Sequence, residues 1–246
     1  MNHSHNPQLT RPTSTKHEHH IAVTVFTAAS RSATLQHIIY SSVLHPHLYK
    51  LLNHAAKQAS ETYLHETNLP YTILQPSHVM ENLPLRNLLS SNEPSYPIPY
   101  NPSTVFTWTS TKDLAFATLK ILSEREAHFY ATYQLVSTMP ASYTQAIAMV
   151  SEVIGREVRI QRVGLLEAAE TMALRAGGGC DGAREVARRL LLYYDERGLV
   201  GNRNVLRWLL GREPLSYREW VQMRVEEIKQ DGLFISRKGD GLWQKA

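Results

Sequence analysis

The sequence has little cysteine, no long apolar run and no secretory leader. Its single cysteine, Cys180, excludes an internal disulfide and fits a reducing compartment, so a cytoplasmic location is expected. No run approaches the roughly 18 apolar residues of a membrane-spanning helix. Met1–His20 lacks the apolar stretch of a signal peptide. We therefore expect no association with a membrane.

Glycine-rich phosphate-binding turns are also missing. No Gly-x-Gly-x-x-Gly or Gly-x-x-Gly-x-x-Gly occurs before residue 35, and the triplet Gly177–Gly179 is not followed by the Lys-Ser/Thr of a phosphate loop. No Gly-x-Ser-x-Gly turn is present to carry a serine nucleophile. These absences exclude a P-loop nucleotidase and a serine hydrolase of the α/β type.

Charge is sparse and scattered, at 20% of residues with a formal charge of +4. The densest basic patches, Arg184–Arg189 and Arg203–Arg212, contain no regular aromatic interleaving, and we interpret them as solvated helix faces rather than a nucleic-acid track. The N-terminal histidines could chelate a metal, but no cysteine or carboxylate arrangement fixes a geometry. We predict no metal site and no nucleic-acid partner.

The hydrophobic content of 43% is that of a globular protein, and local patterns predict its elements. Residues 1–20 have the composition of a disordered arm, and Ile21–Arg31 is either a strand or a short helix. Leu35–Ser41 is a compact apolar run typical of a buried strand. Apolar residues at helical spacing predict a helix over Leu48–Thr67, and Tyr71–Leu74 is a second strand. A strand, a helix and a strand in this order imply a parallel sheet.

Further strands and helices are predicted in the second half of the sequence. Glu93–Pro102 contains four prolines and reads as a long loop. Two capping boxes, Ser142-x-x-Gln145 and Ser216-x-x-Glu219, mark helix starts. The remaining expectations are strands at Thr104–Thr109, Tyr133–Val136 and Glu157–Val163, and helices at Asp113–Arg125, from Ser142 to about Ile154, Gly164–Arg175, Asp181–Arg197, Val205–Leu210 and Tyr217–Gln230.

Together these elements predict an α/β fold, a truncated Rossmann-like parallel sheet with a smaller α+β C-terminal lobe. The expected division is a disordered arm over 1–20, a partial NAD(P)-binding portion over 21–82, a substrate lobe with a helical region over 83–230, and a tail over 231–246. A sheet truncated at its centre exposes an apolar edge, which favours self-association or a protein partner.

In an open parallel sheet, ligands bind beside the carboxyl ends of the strands. Ser41 and Pro76 end the two predicted strands, and the helix between them carries Asn53 and Lys57 one turn apart on one face. Lys57 is then either a ligand of the ribose hydroxyls of a nicotinamide nucleotide or a solvated helix lysine.

Three runs resemble the NmrA-like family of atypical short-chain dehydrogenases, particularly its fungal members. They are Gln36–Val43, Asn68–Pro76 and Val79–Asn82. Phe106–Thr109 and the helix start at Asp113 are similar to that family's substrate lobe, and the similarity extends from about residue 22 to 225.

The resemblance implies an NADP-dependent oxidoreductase-type protein that acts on a small organic substrate in fungal secondary-metabolite biosynthesis. In that family pattern Lys57 contacts the nicotinamide ribose, and Asn53 and Ser41 orient the substrate carbonyl. The loop that lines the nicotinamide comprises Pro76, Val79, Met80, Glu81 and Asn82. Candidate proton donors are His54, Tyr49 and His78.

Two departures from the family pattern keep a second hypothesis open. Asn53-x-x-x-Lys57 stands where Tyr-x-x-x-Lys is expected, and an amide cannot supply the proton that the tyrosine gives. No segment of residues 1–34 replaces the glycine-rich turn that holds the pyrophosphate, so the NADP site is expected to be incomplete. The alternative function is a non-catalytic NADP-sensing or regulatory protein-interaction module.

Overall fold

The computed structural model describes residues 14–177 and 180–239. The expected disorder of residues 1–13, the end of the tail from residue 240 and most of the glycine triplet lie outside the described residues. Within the described part there are nine α-helices: α1 Ser14–Ser30, α2 Leu52–His65, α3 Leu85–Ser90, α4 Thr111–Glu124, α5 Tyr143–Ile154, α6 Leu165–Gly177, α7 Asp181–Arg197, α8 Asn204–Leu210 and α9 Tyr217–Gly239.

The strands form one central sheet and three small ones. The central sheet is parallel, in the order β1-β2-β7, and the smaller pairs are β3-β6, β4-β9 and β5-β8. All six residues of β2 are buried, as in a parallel strand covered on both faces. The α/β class with a parallel sheet is therefore confirmed. The strands are β1 Ile38–Ser41, β2 Tyr71–Pro76, β3 His78–Val79, β4 Ser95–Ile98, β5 Val105–Phe106, β6 Trp108–Thr109, β7 Ala131–Leu135, β8 Ala141–Ser142 and β9 Arg159–Arg162.

Helix α1 corrects the expectation for the start of the chain. Residues 14–20, expected to be disordered, are helical, and the ambiguous segment that follows continues the same helix. Ala22, Phe26 and Ala29 are buried at helical spacing against α2 and the central sheet. The Phe26 ring meets the edge of Tyr40 of β1 at 5.3 Å between centroids. Histidines at positions 17, 19 and 20 obscured this apolar stripe in the sequence.

The proline-rich segment also differs from its expectation, because it contains strand β4. Ser95 pairs with Arg159, and Ile98 with Arg162, in a parallel two-stranded sheet. A proline lacks the N–H of a ladder hydrogen bond, and Pro97 is tolerated because, among the described strands, β4 has a neighbour on one side only. The strand expected over 104–109 divides at Thr107, so that β5 pairs with β8 and β6 with β3.

The two capping boxes are confirmed. Gln145 N donates to Ser142 Oγ at 3.2 Å while Ser142 N donates to Gln145 Oε1 at 2.8 Å. The same reciprocal contacts join Ser216 and Glu219 at the start of α9. That helix continues to Gly239, beyond the expected end near residue 230. None of the described helices is both long and apolar enough to cross a bilayer.

A close backbone approach fixes the connection after α7. Gly198 has φ +63° and ψ −156°, a region that side chains strongly disfavour. A Cβ at this position would lie 1.9 Å from the carbonyl oxygen of Val105. The next residues continue the contact, since Thr107 N donates to the carbonyl of Leu199 at 2.9 Å. This approach holds the C-terminal region against β5 and β6.

Candidate functional site

The turns after β1, β2 and β6 meet at one end of the central sheet. Ser42 N donates to the carbonyl of Leu74 at 2.7 Å, and Leu44 N donates to that of Pro76 at 2.8 Å. Beyond β2, Ser77 N donates to Thr109 Oγ1 at 2.9 Å. The chain after β1 therefore runs across the end of β2, which is the position where parallel sheets bind ligands.

Lys57 lies at this end, as predicted. Its Nζ donates to the backbone carbonyl of Ser41 at 3.0 Å and forms an ion pair with Glu18 Oε1 of α1 at 2.7 Å. The ammonium group also lies 5.2 Å from the centre of the Tyr40 ring. Only 21% of the Lys57 side chain is exposed. The structure thus brings Lys57 and Ser41 together and places the lysine against the protein rather than in open solvent.

Two buried polar atoms near this end have no hydrogen-bond partner among the described residues. They are Oδ1 of Asn53, one turn before Lys57 on α2, and Oγ of Ser42, directly after β1. Buried polar atoms without partners are uncommon in folded proteins. Each oxygen is free to accept a hydrogen bond from a bound group, whereas Ser41 itself is exposed.

Two side chains of the loop expected to line a nicotinamide form contacts within the protein. Met80 is 1% exposed and belongs to the hydrophobic core. The Glu81 carboxylate accepts hydrogen bonds from Thr111 N at 3.1 Å, at the start of α4, and from Trp220 Nε1 at 3.1 Å, on α9. The side chains of Met80 and Glu81 therefore serve packing and helix capping, contrary to the expected role. Val79 is half-buried and Asn82 is exposed.

An aromatic cage around His78 escaped the sequence reasoning. The His78 Nε2 atom lies 3.0 Å from the Tyr143 hydroxyl, and the rings of Phe106 and Tyr194 lie 5.7 and 6.2 Å from the imidazole. Burial lowers the pKa of His78 to about 4, and the residue as a whole is half-buried. The rings come from distant segments, so no local pattern could have revealed their assembly.

The other two candidate proton donors occupy opposite environments. His54 is fully buried, with Nδ1 3.0 Å from the His45 carbonyl and Nε2 3.3 Å from the Tyr194 hydroxyl. Burial lowers the pKa of His54. Tyr49 is 74% exposed on the loop before α2. Among the described residues, the side chains of His54, Tyr49 and His78 form no hydrogen bond with Asn53 or Lys57.

Two cavities adjoin the aromatic cage. One, of about 440 Å³, lies between the loop after β7, α5 and the start of α9, with Trp108 and Tyr217 in its wall. The other, of about 520 Å³, lies beside Tyr100 between the β4 region and helices α6 and α7. Both volumes lie in the range of small-molecule sites. No group of three histidine, cysteine or carboxylate residues within the described ranges could hold a metal ion.

The fold and the crevice at the strand ends define a Rossmann-like α/β protein. A sequence model of the NmrA-like family matches residues 10–188. The chain belongs to the NmrA-like family, as the resemblance predicted. A search of curated proteins gives no match.

Solved structures of similar fold include three nucleotide complexes. The triphenylmethane reductase of Citrobacter sp. with NADP(H) has 22% identity and a TM-score of 0.69, covering 89% of this chain and 74% of that one. An Escherichia coli NADPH-dependent quinone oxidoreductase with NADPH has 21% identity, a TM-score of 0.67 and coverages of 83% and 70%. NmrA, a negative transcriptional regulator, with NADP has 20% identity, a TM-score of 0.62 and coverages of 94% and 75%. At these identities the likeness concerns the fold alone.

The residues at the strand ends fit one end of such a nucleotide. A lysine ammonium and the unpartnered hydroxyl oxygen of Ser42 match the hydroxyl groups of a ribose, which both accept and donate hydrogen bonds. The turns after β1, β2 and β7 contain no glycine, so they provide no close-approach cradle for a pyrophosphate. The donors and acceptors at this end therefore suit a ribose rather than a pyrophosphate.

Proposed function

We propose that this protein binds NADP(H) by its nicotinamide end and is an NADP-dependent oxidoreductase-type protein acting on a small organic substrate. The observation that carries the proposal is the position of Lys57 Nζ, 3.0 Å from the Ser41 carbonyl at the carboxyl end of β1. We place the protein in the cytoplasm. The resemblance to fungal members extends the proposal to secondary-metabolite biosynthesis.

In this proposal the bound nucleotide supplies the hydride, and the chain positions the reactants. Lys57 donates a hydrogen bond to the ribose hydroxyls, while Asn53 and Ser41 orient the substrate carbonyl. Pro76, Val79 and Asn82 contribute the nicotinamide-lining loop, through backbone and partly accessible side chains. Residues 21–82 form the nucleotide portion, and residues 83–230 form the lobe that covers the substrate.

The ion pair between Lys57 and Glu18 must open for the ribose to bind. The Glu18 side chain is 46% exposed. Ion pairs of this exposure contribute less than about 1 kcal/mol, because water screens the charges. A ribose hydroxyl can therefore replace the carboxylate at small cost.

The test is a titration of the protein with NADPH, followed by its melting temperature. Millimolar NADPH should raise the melting temperature of the wild type. Lys57→Ala should lose most of the shift, and Lys50→Ala, which removes an exposed lysine of the neighbouring loop, should keep it. A wild type whose melting temperature does not move contradicts the proposed function, and a Lys57→Ala variant that binds normally contradicts the role of Lys57.

A second ligand tests which end of the nucleotide is bound. Reduced nicotinamide mononucleotide carries the nicotinamide–ribose end without the adenosine half. If the protein contacts mainly the nicotinamide–ribose end, the affinity of the mononucleotide should lie within about tenfold of the affinity of NADPH. The reason is that the adenosine half of NADPH would then form few charge-assisted hydrogen bonds with this protein. If the mononucleotide binds far more weakly than NADPH, the main contacts of the nucleotide are at the pyrophosphate.

The second candidate function is a non-catalytic NADP-sensing or regulatory module, and Asn53 favours it because an amide does not donate a proton to an alkoxide. β1 pairs only with β2 among the described strands, and its other edge is proposed to take a second copy or a protein partner. NADPH binding without turnover of any aromatic ketone or quinone, together with a dimer in light scattering, would support this alternative. NADPH oxidation dependent on such a substrate would exclude it.

A further inference from the structure

The cavity between α5 and α9 has walls whose chemistry selects a ligand. We propose that it binds a flat, uncharged aromatic molecule that carries a carbonyl oxygen.

Two aromatic side chains form the inner wall. Trp108 is 2% exposed and Tyr217 is 6% exposed, and their ring centroids lie 5.0 Å apart with planes inclined by 53°. Met139 at the mouth is 63% exposed, and the half-buried Met149 contributes a flexible thioether. Aromatic faces and methionine sulfur both pack well on the π-surface of a flat ring. With a volume of about 440 Å³, the cavity accommodates a molecule of two or three fused rings.

The charges at the rim are already paired within the chain. Arg203 Nη2 lies 2.9 Å from Glu213 Oε2, and Arg218 forms an ion pair with Glu152. Both arginines line the cavity and each has a carboxylate partner, with Glu213 shared with Arg207 at 3.5 Å. The carboxylates offset much of the positive charge of the rim, so the rim gives an anionic ligand little net attraction and the aromatic walls make the selection.

Three side chains in the cavity wall have hydrogen-bond donors without an acceptor in the described part of the chain. Thr138 Oγ1 accepts from Trp108 N at 3.0 Å, which leaves the threonine hydroxyl proton free. Gln145 Oε1 accepts from Ser142 N, and the Gln145 amide N–H groups have no partner within the described part of the chain. The same holds for the Tyr217 hydroxyl. Burial raises the pKa of Tyr217 above its usual value, so this hydroxyl keeps its proton and remains a donor. Three donors in one cavity select a ligand with an acceptor oxygen.

The cavity adjoins the loop assigned to the nicotinamide. Trp108 pairs with His78 in the β3-β6 ladder. Tyr217 packs 5.9 Å from Trp220, whose indole N–H donates to Glu81. A ligand in the cavity would contact Trp108 and Tyr217, which connect it to residues 78–82. Its identity as the substrate rests on the proposed reductase function, whereas its binding does not.

Binding is measured by calorimetry on the full chain without nucleotide. The probes are 1-acetonaphthone, which is flat, neutral and carries a carbonyl, 1-naphthoate, which is flat and anionic, and cyclohexyl methyl ketone, which is neutral and not flat. We expect 1-acetonaphthone to bind at least about tenfold more tightly than either control, because only it satisfies the aromatic walls and the neutral rim together.

Two variants locate the binding. Tyr217→Phe keeps the ring and removes one donor, and should weaken 1-acetonaphthone about fivefold. Met149→Trp should fill the cavity and abolish binding. Tyr130→Phe removes a hydroxyl from a tyrosine that is 60% exposed and lies outside the cavity lining, and it should change nothing. A melting temperature close to that of the wild type confirms that each variant is folded.

Four outcomes overturn the assignment. They are no binding of 1-acetonaphthone, equal or tighter binding of 1-naphthoate, equal binding of cyclohexyl methyl ketone, and binding that neither Tyr217→Phe nor Met149→Trp affects. The last would place the ligand elsewhere, for example beside Tyr100. Failure of the reductase proposal is separate, since it is detected by NADPH titration. A protein that binds 1-acetonaphthone but not NADPH keeps the cavity assignment and loses only the reductase function.

Discussion

Glu61 carries a carboxylate that is 3% exposed between α2 and β2. Its side-chain partner is the amide of Gln75, whose Nε2 lies 3.0 and 3.1 Å from the two carboxylate oxygens. No arginine, lysine or histidine forms an ion pair with Glu61 among the described residues. A buried polar group is tolerated when it is hydrogen-bonded, so the hydrogen bonds from Gln75 offset much of the free-energy penalty of burying this carboxylate.

Removing the amide should therefore destabilise the protein. Gln75→Leu leaves a buried carboxylate without its donor and is expected to lower the free energy of unfolding by about 3 kcal/mol. The double variant Glu61→Leu/Gln75→Leu removes both partners and should recover part of the loss. Urea unfolding of the two single variants and the double variant measures the coupling. A loss below about 1 kcal/mol in Gln75→Leu would contradict the argument.

At the scale of single residues, the sequence predicted which residues lie near each other only where local rules sufficed, and the roles of these residues stay a prediction. Lys57 and Ser41 were expected to meet because helix spacing and the ends of parallel strands are both visible in one sequence. The Glu18 partner could not be predicted, since it depends on how α1 packs against α2. The contacts of Glu81 and Met80 could not be predicted, because Trp220 lies 139 positions away from Glu81 and the core around Met80 is assembled from distant segments.

Two helices end at glycines with different surroundings, and this gives a matched test of local structure. Gly155 after α5 is left-handed, with φ +72°, and a Cβ there would meet nothing within 4 Å. Gly198 after α7 would place a Cβ 1.9 Å from a backbone oxygen. The first site restricts only the backbone, whereas the second also restricts the space.

Alanine at these two positions should have unequal effects. Gly155→Ala is expected to cost about 1 kcal/mol, the penalty of a left-handed residue with a side chain. Gly198→Ala should cost at least about 3 kcal/mol, because the strand carrying Val105 must move as well. Thermal and urea unfolding of the two variants decide the comparison. Equal losses would show that the approach of Gly198 to Val105 is not a constraint.

Among the elements, those with a local signal were predicted and those fixed by tertiary contacts were not. The strand–helix–strand over residues 38–76 has a clear period and was predicted with its parallel pairing. Strand β4 was missed because its prolines indicate a loop, and its strand conformation depends on β9. Helix α1 was missed over residues 14–20 because these residues are polar and only the following turn is apolar.

For the whole molecule, the buried His54 and the half-buried His37 and His78 link stability to pH. Burial lowers the pKa of His37, His54 and His78, in the last case to about 4. In the unfolded chain a histidine titrates near 6.5. Because the folded pKa values are lower, the unfolded state binds protons first as the pH falls. The contribution of these histidines to stability is therefore complete above about pH 6.5 and is lost as the pH falls from there towards the folded values.

Unfolding at several pH values should show this loss. Between pH 6.5 and 4.5, His78 alone should contribute a slope of up to about 1.4 kcal/mol per pH unit to the free energy of unfolding. His78→Gln can retain a hydrogen bond to Tyr143 and should reduce the slope. His47→Gln, which replaces an exposed histidine, should not. Identical slopes for both variants and the wild type would contradict a neutral His78.

The strand pairings also determine the order in which the chain can assemble during its synthesis. In the described part every paired strand is separated from its partner by at least one helix. His78 can pair only after Trp108 has been synthesised, and Ser95 only after Arg159. Non-local pairings of this kind form slowly, because long loops must close first. The apolar segment Tyr71–Pro76 leaves the ribosome well before its second neighbour Ala131–Leu135. The nascent chain thus exposes an aggregation-prone segment for several seconds of translation. The yield of folded protein in a cell should therefore depend on chaperones that bind this segment.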